Sequence, residues 1–214
     1  MRGNWVAVVF FATVSSLATA QATGSISGMV VDEDGQLVDH ATVCLSITSG
    51  NSRAINCNVP TDKDAHFTLG KVKFGTYGLL AMNESEGYSL TNQSPQKVSV
   101  SAADPSPNVI VRLHHKGGVL IGTARDQFTG QPVKGIMVQY LDIDGKASGT
   151  SSTFSDGEFH VALPTQCDLI IVVSAKGYKG WVYTDPSSPS HPVLRLNSGD
   201  RKVVDIQLEP TVPR

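Results

Sequence analysis

The chain has 214 residues, 40 % of them hydrophobic and 17 % charged, with a formal net charge of −2. A near-neutral chain without a basic stripe gives no support to a nucleic-acid partner. At roughly 100–200 residues per domain, the length allows one domain or two.

The N-terminus reads as an export signal. Met1-Arg2 is a short positive start, Trp5 to Val14 is an apolar run, and Ala18-Thr19-Ala20 supplies the small residues a signal peptidase reads. Residues 1–20 are therefore expected to be a signal peptide cleaved after Ala20, and the protein to be secreted or periplasmic. The rival is a membrane anchor, but a spanning helix needs ~20 apolar residues. No second run of that length follows, so no membrane span is expected in the mature chain. No cysteine follows the apolar run, which argues against a lipoprotein anchor.

The rest reads as β throughout: short runs rich in Val, Ile, Leu and Thr separated by turn clusters. In chain order the first set covers Ser25–Val31, Ala41–Ile47, Ala54–Val59, His66–Leu69, Tyr77–Met82, Lys97–Val100 and Val109–Leu113. The second covers Gly118–Arg125, Ile136–Leu141, Gly149–Phe154, Glu158–Ala162, Leu169–Ala175, Val193–Leu196 and Lys202–Leu208. No window keeps a helical period with caps at both ends. Pro105 and Pro107, and later Pro186, Pro189 and Pro192, mark loops, because proline lacks the amide a central strand needs.

Cys44 and Cys57 flank Ser49-Gly50-Asn51-Ser52, which reads as a hairpin turn. With Gly50 and Asn51 as the two turn residues, the cysteines fall opposite each other and a Cys44–Cys57 disulfide is expected in an exported protein. That register also sets Leu45 opposite Asn56. The alternative is that both are free and buried. Cys167 is read as a small core residue.

The second half repeats the first. Gly28-Met-Val-Val-Asp32-Glu-Asp-Gly35-Gln-Leu-Val38 is matched by Gly122-Thr-Ala-Arg-Asp126-Gln-Phe-Thr-Gly130-Gln-Pro-Val133. Ala41-Thr-Val43 is matched by Gly135-Ile-Met-Val138, and Thr61-Asp62 through Phe67-Thr-Leu69 by Ser155-Asp156 through Phe159-His-Val161. Glu86-Gly87-Tyr88 is matched by Lys176-Gly177-Tyr178. Landmarks in one order at nearly one offset mean a duplicated domain, with a period too long for a solenoid. The expected units are residues 23–115 and 116–210, each a β-sandwich, meeting near His114-His115-Lys116-Gly117-Gly118. The Asp–Gly segments read as tight turns, in which Asp bonds back to backbone amides. Phe67 and Phe159 read as core, and Gly87-Tyr88 and Gly177-Tyr178 as a turn with an aromatic plug.

These residues resemble the carboxypeptidase regulatory-like domain. Gly28, Val30, Asp32, Gly35, Val38, Ala41, Val43, Asp62, Phe67, Leu69, Gly75, Tyr77, Gly87 and Tyr88 carry the pattern in the first unit. The second is looser: Gly130 comes one residue late, Gly135 replaces Ala41, and Gly75-x-Tyr77 has no clear match before Leu169. The resemblance implies two tandem transthyretin-like, seven-stranded sandwiches of the carbohydrate-binding-like fold. It implies structural, adhesive or glycan-binding roles rather than catalysis, by analogy of fold.

None of the six histidines (His40, His66, His114, His115, His160, His191) begins a zinc-protease motif. No Gly-x-Ser-x-Gly occurs, the cysteines have no evident His relay, and phosphate-cradling glycine loops are absent. No enzyme activity, cofactor or metal is expected; Asp32-Glu33-Asp34-Gly35 and Asp142-Ile-Asp144-Gly145 lack the spaced ligands of a calcium loop. The first strands carry no Lys for an adhesin-type isopeptide bond, and Glu84 alone does not make one. Asn83-Glu-Ser85 and Asn92-Gln-Ser94 match glycosylation sequons.

The remaining candidate is a binding surface. Tyr178, Trp181 and Tyr183 could form an aromatic sugar platform, since alternation puts Trp181 and Tyr183 on one strand face. Alternatively Trp181 anchors the core or the domain interface. The main expectation is thus a glycan-binding module of the cell envelope. The alternative is a structural or adhesive component of a surface assembly, with an envelope protein as partner. A further alternative is an accessory subunit of a separate peptidase or transporter.

Overall fold

The computed structural model describes residues 22–49, 52–90, 93–153, 157–185 and 192–211. The expected signal segment, Asn92 and Asp156 lie outside the described residues. The first half forms β1 (Thr23–Val31), β2 (Thr42–Ser49), β3 (Ser52–Pro60), β4 (His66–Lys73), β5 (Gly75–Met82), a single 3-10 turn η1 (Glu84–Glu86), β6 (Gln96–Val100) and β7 (Asn108–Arg112). The second forms β8 (Gly118–Asp126), β9 (Ile136–Asp142), β10 (Ser148–Thr153), β11 (Glu158–Leu163), β12 (Leu169–Ser174), β13 (Trp181–Val182) and β14 (Arg201–Leu208).

These strands build two seven-stranded sandwiches. The sheets run β4-β1-β7 and β3-β2-β5-β6 in the first half, and β11-β8-β14 and β10-β9-β12-β13 in the second. Among the described residues no sheet mixes strands of the two halves, so the repeat in the sequence is a repeat of architecture. In each half the first strand takes the last one in parallel, β1 with β7 and β8 with β14, and the other pairings are antiparallel.

Alternation decides which side chains meet. Along β9 the residues Ile136, Val138 and Tyr140 point inward, and along β12 so do Leu169, Ile171 and Val173, all at most 5 % exposed. They pack against Leu120, Phe159 and Ile206 of the facing sheet. The first half repeats this with Val43 and Leu79 against Ile26, Phe67 and Val111. Each fully buried Leu or Ile contributes roughly 1.5–3 kcal/mol.

The turn aspartates face their own backbone. Asp32 Oδ1 accepts the amides of Asp34 and Gln36 (3.0 and 2.8 Å), and Asp62 Oδ1 those of Asp64 and His66 (2.9 and 2.8 Å). Asp126 Oδ1 accepts Phe128 and Thr129 (both 2.9 Å), and Asp142 Oδ1 accepts Asp144 (3.2 Å). Amide donors hold Asp62 below the ordinary carboxylate range, His66 first. The same holds for Asp126, with Thr129 first and the Tyr178 hydroxyl helping.

Two details differ from the sequence reading. Val193–Leu196 is not a continuous strand: only Leu194 bridges, to Leu169, and the strand paired along that edge of β12 is β13. Both lie along the same edge of β12, so Leu194 and Leu196, at 4 and 5 % exposure, show a strand's alternation without its ladder. The residue at positive φ before β2 is His40 (51°), and before β9 it is Gly135 (67°). Gly135 therefore corresponds to His40, and the buried Ala41 to Ile136.

Candidate functional site

The aromatic residues singled out above are placed mostly by the core. Tyr183 is 2 % exposed within it, and Trp181 is partly buried and packs against the same cluster. Their ring centroids lie 6.2 Å apart, edge to face, and Lys202 Nζ sits 5.7 Å above the Tyr183 ring. Tyr178, also partly buried, donates its hydroxyl to Asp126 Oδ2 at 3.0 Å. The first half repeats that clasp: Tyr88 donates to Glu33 Oε2 at 3.0 Å. A tyrosine tied to the acid of the first turn in both halves has a job in the fold. Of the three rings, Tyr183 is enclosed, whereas Tyr178 and Trp181 keep intermediate exposure.

Cys44 and Cys57 face each other across β2 and β3 and form a disulfide; Leu45 lies opposite Asn56. Cys44 is fully buried. Cys167 is a free thiol packed against the second core, and burial pushes its pKa up. Among the described residues no group of three His, Cys, Asp or Glu side chains could hold a metal ion. Among them, too, no helix is long and apolar enough to cross a membrane.

The most developed polar arrangement is the joint between the two halves. It is built on η1. Asn83 caps this turn, its Oδ1 accepting from Glu86 N, and Gly87 closes it at φ 91° with its amide on Glu84 O. Asn83 Nδ2 donates to Asp39 O at 3.2 Å and the residue is 7 % exposed, so the folded chain closes this sequon to a sugar. The capped turn packs against β11 and β8. Glu84 accepts from Ser151 Oγ of β10 at 3.2 Å, and Arg201 at the start of β14 donates to Ser85 O at 3.0 Å. Gly87 O accepts from Gly117 N (2.8 Å), and Gly117 O from Gly199 N (3.0 Å). A side chain on Gly117 would collide with the Leu163 carbonyl, so only glycine lets the chain pass. On the near side Glu33 Oε1 accepts from Lys116 N (2.9 Å), and Lys116 Nζ lies 5.6 Å over the Tyr88 ring. Partial burial works against the Glu33 charge, but the Lys116 amide and the Tyr88 hydroxyl hold its pKa below the ordinary range.

Glu84 behaves oppositely. Burial raises its pKa above the usual 4.5, and the Ser151 hydroxyl offsets only part of that. The folded chain then holds this proton more tightly than the unfolded one. The resulting stability is present below the usual value and lost as pH rises through the raised one. Glu84→Gln keeps an acceptor for Ser151 and removes the charge. It is expected to raise stability at neutral pH and to flatten the fall in Tm between pH 4.5 and neutrality. A calorimetric pH series checks this, and an unchanged slope would dismiss the account.

A second feature is a groove in the first sandwich, between the edges of β3 and β4. Leu45, Val59, Leu69, Val72 and Tyr77 line it, with Asn56, Asn58, Lys71 and Lys73 among its polar residues. Lys71 is held at φ 57°, where a side chain is strained.

No family model matches the chain, and no curated protein matches it. Among solved structures it is similar to the Bacillus anthracis TIE protein, at 17 % identity and a TM-score of 0.34, covering 87 % of this chain and 34 % of that one. It is similar to a Streptococcal ancillary pilin at 14 % identity and a TM-score of 0.38, covering 89 % and 63 %. A further likeness is to the shaft pilin spaA of Lactobacillus rhamnosus GG, at 11 % identity and a TM-score of 0.33, covering 90 % and 100 %. The chain thus spans about a third of the first of these proteins and less than two thirds of the second.

Proposed function

We propose that this chain is an exported, non-catalytic scaffolding module of a surface assembly that acts through protein–protein contacts. The observation that carries the reading is the joint. A capped turn of one sandwich is seated on four strands of the next, and the connecting backbone is hydrogen-bonded on both sides. A spacer has to hold its domains in one relation, and independent domains on a loose linker would not do so. The carboxypeptidase regulatory-like resemblance is compatible with this role, since such domains accompany enzymes without supplying their catalysis.

Glycan binding is the second reading, favoured by one observation: Trp181 remains partly exposed on the short edge strand β13. One sample separates the two readings. Nitrogen-15 relaxation of the full chain is expected to give a single rotational correlation time for both sandwiches. Trp181 emission is expected to stay constant when soluble glycans and cell-wall fragments are added. Independent tumbling would sink the scaffold reading. A saturable emission change, lost in Trp181→Ala while the variant stays folded, would put the glycan reading in its place.

A further inference from the structure

The two sandwiches have corresponding edges, and among the described residues only those of the second are covered. In the second, η1 reaches the edges of β10 and β11, at the end where β8 begins and Gly118 pairs with Leu163. In the first, the corresponding edges are β3 and β4, at the end where β1 begins and Thr23 pairs with Lys73. The groove lies there, along Thr68–Lys73 of β4 and Asn56–Val59 of β3. Its floor is apolar, its lining includes Lys71 and Lys73, and no Asp or Glu is among the lining residues. Among the described residues neither ammonium has a carboxylate at ion-pair distance. The turn that fills the second seat carries Glu84 and Glu86.

We propose that the β3–β4 groove of the first sandwich is a docking seat for an acidic turn presented by another polypeptide, at the edges that correspond to those η1 covers on the second sandwich. The proposal rests on the scaffold reading and names the partner's chemistry. Charge selects it: two lysines beside an apolar floor suit a short segment bearing carboxylates. The backbone supplies a second argument. At φ 57° Lys71 sits where glycine is favoured, and a bulge in the β1–β4 pairing holds it there. A lysine kept in that conformation at the edge of an open groove is explained by what its charge meets. A second copy of this chain is a poor occupant, because its equivalent turn presents Lys176.

The probe is a backbone-cyclised peptide carrying Asn83–Tyr88, titrated into the full isotope-labelled chain at millimolar concentration. Saturable amide shifts are expected at Asn56–Val59 and Leu69–Lys73. The peptide with both glutamates replaced by glutamine, or the Lys71→Gly/Lys73→Ser variant, is expected to bind about tenfold more weakly. Glycine suits the backbone of Lys71, so the variant keeps its fold, which its spectrum reports directly. Shifts confined to β10 and β11, no shifts, or equal binding by both peptides would overturn the proposal. So would a concentration-dependent dimer that perturbs the same amides without peptide, since the seat would then belong to a second copy. A single correlation time with no groove shifts overturns the seat alone, whereas independent tumbling overturns the scaffold reading itself.

Discussion

Replacing Gly28 with alanine is expected to unfold the first sandwich while leaving the second intact. Gly28 lies mid-strand in β1, between Phe67 of β4 and Val109 of β7. A methyl group there would fall on the carbonyl oxygen of Val109, with the Phe67 ring close behind at 3.1 Å. The obstacle is backbone, so relief means separating β1 from β7, and with it the parallel pairing that closes the sheet. Overpacking ordinarily costs 1–3 kcal/mol. With ladder hydrogen bonds lost as well, the penalty is about 3 kcal/mol or more, a large part of a typical domain's stability. The counterpart Gly122→Ala would meet the ring of Phe159 instead of backbone. That ring can tilt, so a loss of about 1–3 kcal/mol is expected. Urea unfolding, with the transition of each half followed by its own amide signals, checks both. A Gly28→Ala loss below that of Gly122→Ala would contradict the argument.

Removing the Cys44–Cys57 disulfide should be nearly as costly, again in the first half only. The cysteines are separated by 13 in sequence, and a closed loop of that size restricts the unfolded chain by about 3 kcal/mol. Cys44→Ala/Cys57→Ala, or reduction of the native chain, is expected to lower the first transition by on the order of 10–20 °C. The second half holds only Cys167 and should be unaffected. Calorimetry with and without reductant is the check. A first transition that reductant leaves in place would show that the cross-link contributes nothing to stability. A loss of this size would tie the stability of the first sandwich to an oxidising compartment.

What could be read from residues depended on the range of the interaction. Strands and turns were legible because alternation and Asp–Gly punctuation are local. The aspartates bond to amides two to four residues on, and the facing of Cys44 and Cys57 follows from one hairpin. β13 was absent from the strand runs, although alternation set Trp181 and Tyr183 on one face, because its pairing with β12 spans only Trp181 and Val182. Leu194 and Leu196 alternated convincingly for a different reason, burial beside the end of β12. The joint was only half legible. Gly87-Tyr88 read as a turn and His114 to Gly118 as the boundary, but the partners Ser151 and Arg201 lie far along the chain, and nothing local announces them. The aromatic cluster was found as a cluster, whereas its burial depended on Lys202 and the core strands, which a single strand's pattern does not contain.

The connection between the halves has a consequence for turnover. Linkers are where proteases usually cut, because a cleavable segment must detach and lie extended in a foreign cleft. Here Leu113 N is bonded to Val31 O, Lys116 N to Glu33, Gly117 N to Gly87 O and Val119 N to Asp200 O. Lys116 offers a basic cleavage point in sequence, yet its neighbours are fastened in succession to one sandwich or the other. Cutting there requires the two bodies to part first, so the lifetime of the linker is set by the strength of the joint.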